Sequence, residues 1–491
     1  MSSPVFTDTN LDYDDESWDQ SVQIYDTWKS KLLKRDNLLK IGKLIDKYRG
    51  GVPDTLSSPQ KGAFNAWIRL KFVDGGSAVM RIPLPGKTMF PAEKTQREVD
   101  VMRYLSDKTS LPVPLVLHLG TAEESPNGLG PFIIMEFIEH ECDLVDALNT
   151  PDIPYEERPI LDPYISSERL HFVYRQMADV MLQYSKHTFM KIGSISSSDE
   201  GDSWVVSHRP LTLNMNELVQ LGNVSPDALP QGPFETSTSY YTALASMHIA
   251  HLKAQRVSGM QATEFRRKYI ARCLFHRLAR EGRFSKYGDR GPFPLVNDDF
   301  RPANVLSNAE FQVTGVVDWE FTYAGPREFA YSAPVWLLLE LPEYWPDGLD
   351  DWTHVYEQRL PIFLTAVRES ETAAIKGGTL REEQCLSQFM DDSWKTGDFW
   401  VTYAARRCWA FDMVYWVKID KRFFGVGTVD DRLELLTMEE KTELDQLLNR
   451  MFKASLIDFL GAWFYPSTEE HAPLRQRENT DQDVYNPSRY L

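Results

Sequence analysis

Three residues with oxygen-bearing side chains lie close together in the sequence, and their spacing predicts chemistry on a phosphate group. Asp299 and Asn304 are five positions apart, and Asp318 follows Asn304 by fourteen positions. A carboxylate such as Asp299 can orient a hydroxyl and accept its proton. Asn304 and Asp318 offer a neutral and an anionic oxygen, which suit octahedral Mg²⁺. Phosphoryl transfer needs this combination, because negative charge spreads over the oxygens of the moving group.

The residues around this set predict the elements that position it. Pro302 cannot continue a helix, so residues 299–304 are expected to form a rigid loop. Residues 312–317 are mostly apolar and predict a buried strand that brings Asp318 to the same edge. An Asp and an Asn in a proline-containing loop are also ordinary turn residues. The second Asp, at the end of an apolar strand, favours the catalytic interpretation.

The two motifs resemble the catalytic loop and the metal motif of the aminoglycoside phosphotransferase and choline kinase-like enzymes. That family shares the protein-kinase fold, and its loop usually begins with His and Gly before the Asp. Asn297 and Asp298 occupy those two positions here. The resemblance implies ATP and Mg²⁺ as cofactors, Asp299 as the catalytic residue, and Asn304 and Asp318 as metal ligands.

The segment 318–326 also resembles the family and suggests Glu320 as a further group near the metal. A solvated acid after a strand is the alternative interpretation of Glu320.

The family resemblance also predicts a nucleotide-binding lobe upstream of the catalytic loop. A glycine turn precedes an alternating strand, and main-chain N–H groups around Gly62, Phe64 and Asn65 could cover the phosphates. Residues 74–76, Asp-Gly-Gly, close a hairpin into the next strand. An ordinary hairpin is the alternative for this region.

In that next strand, Val79 and Arg81 lie on one face, where Val79 could cover the adenine while Arg81 reaches the phosphates. Arg81 stands where the family has a lysine, and the two side chains are not interchangeable. Lys71 on the neighbouring strand is the alternative cation.

Residues 92–106 predict a helix, and Glu98 lies on its apolar stripe. A carboxylate there should pair with Arg81, as the family's strand-to-helix ion pair does, or alternatively with Lys94. Residues 130–138 predict a strand that leads into the hinge between two lobes. Adenine is expected to bond to main-chain groups near Glu136 and Ile138, with Met135 at the back of the pocket.

The expected fold class is α+β. It is a bilobal protein-kinase-like fold with a small antiparallel β lobe and a larger, mainly α-helical lobe. Residues 1–49 are expected to form an N-terminal extension with an acidic start and then a helix, and residues 50–138 the nucleotide-binding lobe. Residues 139–465 should form the catalytic and acceptor-binding lobe, and residues 466–491 a polar tail.

Within the larger lobe, residues 165–186, 234–255, 261–281, 353–371 and 394–419 predict helices. Residues 192–231 are rich in Ser, Asp, Gly and Pro and predict an insertion or mobile loop. Aromatic residues between 336 and 409 either line a substrate cavity or fill a helical core.

Composition excludes several classes of protein. The 491 residues carry a net charge of −18, which argues against binding to nucleic acid or to an anionic membrane surface. The acidic total would suit a cationic acceptor, although it also serves solubility. The four cysteines lie far apart, so neither a zinc site nor a disulfide framework is indicated. A secretory signal and a membrane-spanning stretch are not expected, so a cytoplasmic location is predicted. The sequence indicates no oligomeric state.

The resulting hypothesis is an ATP-dependent small-molecule kinase that transfers the γ-phosphate to a hydroxyl acceptor. The alternative is a catalytically weak or inactive kinase-fold protein that binds nucleotide, suggested by Arg81 and Asn297 in place of Lys and His. The sequence distinguishes neither ATP from GTP nor one acceptor from another.

Overall fold

The computed structural model describes residues 14–154, 157–198, 203–255 and 260–464. The expected polar tail and the first part of the expected acidic start lie outside these ranges. The fold class is the expected one, with a small antiparallel β lobe and a larger, mainly helical lobe. The limits of the lobes given above stay a prediction.

The extension before the β lobe forms two helices where the sequence predicted one, α1 (Asp15–Leu32) and α2 (Arg35–Arg49). Helix α2 buries Ile41 and Ile45 in the core of the small lobe. Trp28 packs in the same core, and its indole Nε1 donates to the carbonyl of Leu129 at 2.7 Å. The extension is therefore part of the small lobe's core.

The small lobe contains one antiparallel sheet. One helix is inserted in the chain between the fourth and fifth strands of this sheet. The elements are β1 (Pro53–Leu56), β2 (Gln60–Lys61), β3 (Asn65–Phe72), β4 (Ser77–Pro83), α3 (Pro91–Lys108), β5 (Val116–Gly120) and β6 (Phe132–Glu136). The strand order is β1-β3-β4-β6-β5, and β2 pairs with β3. The β3–β4 hairpin turns where the sequence predicted it, at Gly75, whose φ of +89° favours glycine.

The larger lobe carries short strands among its helices. Its first half comprises β7 (Cys142–Asp143), α4 (Ser167–Ser185), β8 (Thr188–Phe189), β9 (Ser194–Ser197), β10 (Trp204–His208), α5 (Leu213–Gln220), α6 (Ser237–Ala254), α7 (Ala262–Arg280), β11 (Phe293–Asn297), β12 (Val305–Ser307), β13 (Val313–Val316) and β14 (Thr322–Ala324). Its second half comprises α8 (Arg327–Ala330), α9 (Gly348–Lys376), α10 (Ser387–Thr396), α11 (Asp398–Arg406), α12 (Phe411–Val414), α13 (Asp420–Phe424), α14 (Val429–Glu434) and α15 (Met438–Phe464).

Two small antiparallel sheets position the catalytic loop. One has the order β14-β11-β8 and the other β13-β12-β7. Strand β11 ends at the start of the loop, and the β12–β13 hairpin follows it. Helix α4 packs beneath them with Val173, Tyr174 and Met177 fully buried.

Two expectations about the larger lobe were wrong. The described part of residues 192–231 is not a loop, since it contains the β9–β10 hairpin and the buried helix α5. Turn-forming residues separate elements too short to show a clear periodicity. The helix predicted over 394–419 is interrupted at Gly397, whose φ is +78°, and again after Arg406.

The aromatic residues mostly fill the core of this lobe, as Trp394 and Trp400 do by packing on Phe399. All four cysteines are free thiols. Among the helices in the described ranges, none combines the length and the apolar character needed to cross a bilayer.

Candidate active site

A cavity of about 560 Å³ lies between the β lobe and the catalytic loop. The structure brings almost all of the predicted site residues to its walls. Those that line it are Gly62, Phe64, Asn65, Val79, Arg81, Met135, Glu136, Ile138, Asp299, Asn304 and Asp318. Glu98 does not line the cavity and lies buried behind Arg81, so it contacts the cation and not the space itself.

Asn297, which replaces the family's usual histidine, connects the two loops of the site. Its Oδ1 accepts from the main-chain N–H of Asp299 at 2.7 Å. Its Nδ2 donates to the carbonyl of Asp318 at 3.5 Å. Asn297 therefore fixes the start of the catalytic loop and hydrogen-bonds to the main chain of the metal motif at Asp318.

Asp298, which replaces the usual glycine, is held from the opposite side of the loop. Its carboxylate accepts from the hydroxyl of Tyr323 at 3.3 Å and from Arg406 at 3.3 Å. Burial raises the pKa of Asp298, and Arg406 and Arg407 oppose that rise. The two residues that differ from the motif described above thus both have hydrogen-bond partners in this structure.

Asp299 is buried and lies near both positively and negatively charged side chains. Its Oδ1 lies 3.3 Å from Arg301 Nε. Burial raises the pKa of Asp299 to about 7, the negative charges of Asp318 and Glu320 add to this rise, and Arg301 opposes it. A carboxyl group that titrates near neutrality is suited to accept a proton and release it again.

Asn304 presents its amide oxygen to the cavity because its amide nitrogen is already used. Nδ2 donates to the carbonyl of Asp299 at 2.8 Å, which leaves Oδ1 as the available atom. The main chain of Asn304 also accepts from the N–H of Val317 at 3.0 Å, so the loop and the β12–β13 hairpin are joined. The side-chain orientation is therefore set by the loop's own hydrogen bonds.

Asp318 adopts a left-handed backbone conformation with φ of +64°. Non-glycine residues rarely hold this conformation unless the surrounding structure imposes it, and such positions cluster at functional sites. The next residue supplies an anchor, since Trp319 is buried and its Nε1 donates to the carbonyl of Val316 at 3.0 Å. This turn directs the Asp318 carboxylate to the cavity.

Arg81 is the cation of the site, and the expected ion pair with Glu98 is present. Its guanidinium also contacts Asp318, and it lies 3.1 Å from Glu320. Burial alone would lower the pKa of Arg81, but these carboxylates raise it above its usual value. Lys71 is exposed and does not line the cavity, so Arg81 is the strand cation at the site.

Glu320 belongs to a buried cluster that the sequence only partly predicted. It is 1% exposed, so its interpretation as a solvated acid was wrong. Its Oε2 accepts from Asn65 Nδ2 at 2.9 Å and from Lys94 Nζ. Lys94 in turn donates to Asn65 Oδ1 at 2.7 Å. The alternative pairing of Lys94 with Glu98 was therefore wrong.

Lys94 is the functional-site residue that sequence reasoning missed. It lies four positions before Glu98 on α3, and both side chains are buried. A basic and an acidic residue on one apolar helical stripe each require a charged partner, and that was the available signal. The partner of Lys94 is 226 positions away, which local spacing could not indicate.

The turn before β3 packs against the catalytic lobe. Phe64 packs edge-on against Phe321 with a centroid distance of 5.6 Å, and its carbonyl accepts from the N–H of Leu84 at 2.8 Å. Gly62 N–H donates to the carbonyl of Asn65 at 2.8 Å, so this N–H is used within the turn. Of the main-chain N–H groups predicted to contact the phosphates, those of Phe64 and Asn65 therefore stay candidates.

At the hinge, β6 ends at Glu136, whose N–H donates to the carbonyl of Leu115 at 2.9 Å. The carbonyl of Ile138 accepts from His140 Nδ1 at 2.8 Å. The groups left for a planar base are therefore the carbonyl of Glu136 and the N–H of Ile138. Met135 and Val79 pair across β6 and β4 beside them.

Three acids lie close together at the site, and the Arg81 guanidinium contacts all of them. Carboxylate oxygens of Glu98, Asp318 and Glu320 lie within 4.8 Å of one another. In the described structure, Glu320 Oε1 is buried without a hydrogen-bond partner. An orphaned buried carboxylate oxygen beside Asp318 is costly unless a further positive group approaches it.

Neither a protein-family model nor a curated protein matches the chain. Among solved structures, the chain resembles kinase-like phosphotransferases. A Ralstonia eutropha protein provisionally described as an aminoglycoside phosphotransferase is 16% identical, with 76% of this chain and 96% of that chain covered and a TM-score of 0.37. The macrolide 2′-phosphotransferase of Brachybacterium faecium is 14% identical, with 77% of this chain and 98% of that chain covered and a TM-score of 0.36.

The ethanolamine kinase of Plasmodium vivax is 11% identical over 82% of this chain and 84% of that chain, with a TM-score of 0.37. Because these identities and scores are low, the role of each residue rests on the geometry of the site alone.

Proposed function

We propose that this protein is an ATP-dependent phosphotransferase that moves the γ-phosphate to a hydroxyl of a small molecule. One observation carries the proposal. Asp299, Asn304 and Asp318 come from two different loops and line one cavity, together with an arginine held by an ion pair. This is the arrangement that aligns a hydroxyl and neutralises phosphate charge in kinases.

The nucleotide would lie under the β sheet. Val79 would cover the base from above, and the carbonyl of Glu136 and the N–H of Ile138 would bond to its edge. Arg81 would contact the phosphates from the side where Glu98 holds it. Because the surrounding carboxylates keep Arg81 charged in spite of its burial, it can bind a phosphate oxygen at any physiological pH.

Asn304 and Asp318 would hold Mg²⁺, and Glu320 lies beside them with one unpaired oxygen. When bound, Mg²⁺ supplies positive charge next to the phosphate oxygens. Asp318 contacts Arg81 in the present structure, so its carboxylate would be shared between the cation and the metal. Asn304 needs no rearrangement, because its oxygen already faces the cavity.

Asp299 would orient the acceptor hydroxyl and take its proton as the oxygen attacks phosphorus. Its raised pKa fits this role, and Asn297 and Arg301 hold it in place. The acceptor is therefore expected to enter beside Asp299 and opposite the nucleotide.

The test uses Asp299→Asn and the matched control Asp179→Asn, which alters an exposed carboxylate on α4. Each protein is incubated with ATP, Mg²⁺ and a metabolite extract, and products that gain the mass of one phosphate are identified. Removal of a general base lowers rates by about 10²–10⁴-fold. Unchanged product formation by a folded Asp299→Asn protein would refute the proposed role.

A second candidate is a nucleotide-binding protein without turnover. The contact between Arg81 and Asp318 favours it, since a metal ligand tied to a cation is less available to metal. Thermal stabilisation by ATP, with and without Mg²⁺, followed by an ATP-consumption assay, separates the two candidates.

A further inference from the structure

Two neighbouring arginines at the end of α11 serve opposite sides of the catalytic loop. The helix ends at Arg406, which turns to Asp298. Arg407 has left the helix, with φ of −132° and ψ of 92°, and its side chain lines the large cavity. The main chain here is fixed, because Cys408 N–H donates to Asn214 Oδ1 at 3.0 Å.

The guanidinium of Arg407 is poorly satisfied for a group so deeply placed. Its side chain is 14% exposed, and its nearest acid is Glu217 at 3.9 Å, beyond hydrogen-bond distance. Within the described ranges, its five N–H donors make no hydrogen bond to protein. By contrast, the buried Arg432 makes two hydrogen bonds to Asp420.

Two acids, Glu217 and Glu343, provide counter-charge to Arg407, and Glu217 is the nearer one. Burial raises the pKa of Glu217 to about 7, and the charge of Arg407 only partly opposes this rise. A half-buried guanidinium whose N–H groups make no hydrogen bond within the described part of the protein can still receive an anion. Arg407 therefore has unused donors and unused charge directed at the cavity.

The wall near Arg407 is where an acceptor would lie. Arg407 lines the same cavity as Asp298 and Asp299, and its charge acts to lower the pKa of both carboxyl groups. The lining of the same cavity includes the apolar residues Pro159, Phe300, Val335, Trp336, Leu339 and Leu341, together with the acids Asp143, Asp146 and Asp298. This end of the cavity thus combines one available cation with a broad apolar surface.

We propose that Arg407 binds a carboxylate of the acceptor, so that the acceptor is a hydroxy acid with an apolar body. The inference rests on the proposed function and names the substrate class of the same site. A planar carboxylate matches the two-pronged donor face of a guanidinium. The net charge of the whole chain bears little on this contact, because distant surface charges are screened by salt.

A matched series of aryl alcohols tests this assignment. The probes are mandelate, mandelamide, 1-phenyl-1,2-ethanediol and 2-amino-1-phenylethanol, which share a phenyl group and a hydroxyl but differ in charge. Binding is measured by calorimetry with a non-hydrolysable ATP analogue and Mg²⁺ present. Mandelate is expected to bind about tenfold more tightly than its amide, the size of one charged hydrogen-bonded contact.

The variant Arg407→Met should remove the preference for mandelate and leave binding of the ATP analogue unchanged. Arg175→Met, at an exposed position on α4, is the control for loss of an arginine. If Arg407→Met does not fold, the double variant Arg407→Met/Glu217→Gln removes the unpaired acid as well and is used instead.

The outcomes distinguish this inference from the proposed function. A mandelate preference that depends on Arg407 supports the inference, even if no phosphate is transferred to any probe. Equal or tighter binding of the amine, or a mandelate preference that survives in Arg407→Met, overturns it. Phosphorylation of a neutral or cationic probe with unchanged rates in Arg407→Met would also overturn it, while the kinase activity would stand.

Discussion

Asp318 serves two partners in the proposed reaction, and this makes it the most informative single residue. Its carboxylate contacts Arg81, and its strained backbone directs it to the cavity. Strain of this kind persists only when neighbouring contacts impose it, here the buried Trp319 and the β12–β13 hairpin. The charge on Asp318 and the conformation of its backbone can therefore be tested separately.

Replacement of Asp318 by Asn should raise the Mg²⁺ concentration needed for half-maximal phosphorylation. The amide keeps the shape of the side chain but loses the anionic oxygen. Even outer-shell partners of metals contribute about tenfold or more to metal affinity, so a direct ligand should contribute at least that much. A Mg²⁺ titration of ATP-dependent activity measures the effect, and an unaltered midpoint would contradict the assignment of Asp318 to the metal.

The buried pair Lys94 and Glu320 is expected to show strong energetic coupling. Lys94→Met leaves Glu320 without its closest cation, and breaking a buried ion pair costs about 3–5 kcal/mol. The double variant Lys94→Met/Glu320→Gln should recover part of that loss. Urea unfolding of the two single variants and the double variant gives the coupling energy. Strictly additive effects would show that the contact contributes little.

At the scale of elements, helix α5, which follows β10, is hydrogen-bonded to the loop that leads into α3. Asn216 on α5 accepts from the N–H of Met89 at 2.8 Å and donates to the carbonyl of Lys87 at 2.9 Å. Both contacts are to main-chain groups of the loop that leads into the helix carrying Lys94 and Glu98. A segment that the sequence predicted as a loop thus supports the ion-pair helix.

Asn216→Ala should lower the free energy of unfolding by about 1–3 kcal/mol, because the part-buried N–H of Met89 loses its acceptor and the buried carbonyl of Lys87 loses its donor. The same change should weaken binding of the ATP analogue, since the start of α3 becomes less well held. Gln388→Ala, on the exposed surface of α10, is the control. A normal unfolding midpoint for Asn216→Ala would show that the two hydrogen bonds of the Asn216 side chain are dispensable.

The catalytic elements themselves were largely predictable from the sequence. The β3–β4 hairpin, helix α3, strand β6 and the β12–β13 hairpin lie where the apolar patterns and turn residues indicate. The helix predicted over residues 394–419 was wrong in detail, because the prediction ignored Gly397, whose left-handed conformation with φ of +78° ends α10 before α11 begins. Periodicity indicates a helical stretch but not its interruption.

At the scale of the whole molecule, buried ionisable groups of both kinds shape the dependence of stability on pH. Burial raises the pKa values of Glu217 and Glu340 to about 7. These groups bind protons in the folded state at pH values where the unfolded chain has released them. Their contribution to stability is complete below about pH 4.5 and is lost as the pH rises towards 7.

Burial lowers the pKa of His187 to about 4 and that of His248 to about 3. The unfolded chain protonates these histidines first as the pH falls below 6.5. Their contribution is therefore lost on the acid side, and the stability maximum is expected where the two ranges overlap, between about pH 4.5 and pH 6.5.

Glu340→Gln should flatten the loss of stability between pH 5 and pH 8. The glutamine cannot ionise, and it can still accept from the N–H of Leu341, as Glu340 does at 2.8 Å. A shift from 4.5 to about 7 corresponds to at most about 3 kcal/mol. Unfolding by urea at several pH values measures the slope, with Glu168→Gln on the exposed start of α4 as control. Parallel curves for Glu340→Gln and the wild type would contradict the raised pKa.

The sequence by itself determined the catalytic core of this protein, because the residues that define it are close along the chain. Asp299, Asn304 and Asp318 lie within twenty positions, and one loop and one hairpin bring them together. Local turns and apolar strands have local causes, and such causes can be inferred from spacing and residue type.

Only the tertiary structure decided which charges meet and which remain available. It selected Arg81 and not Lys71, buried Glu320 against Lys94, and left Arg407 with unused donors. These partners are separated by up to hundreds of positions, and their pairing depends on burial. Because the cost of an unpaired charge arises only when water is removed, the packing of the lobes determines the partners, and local sequence does not.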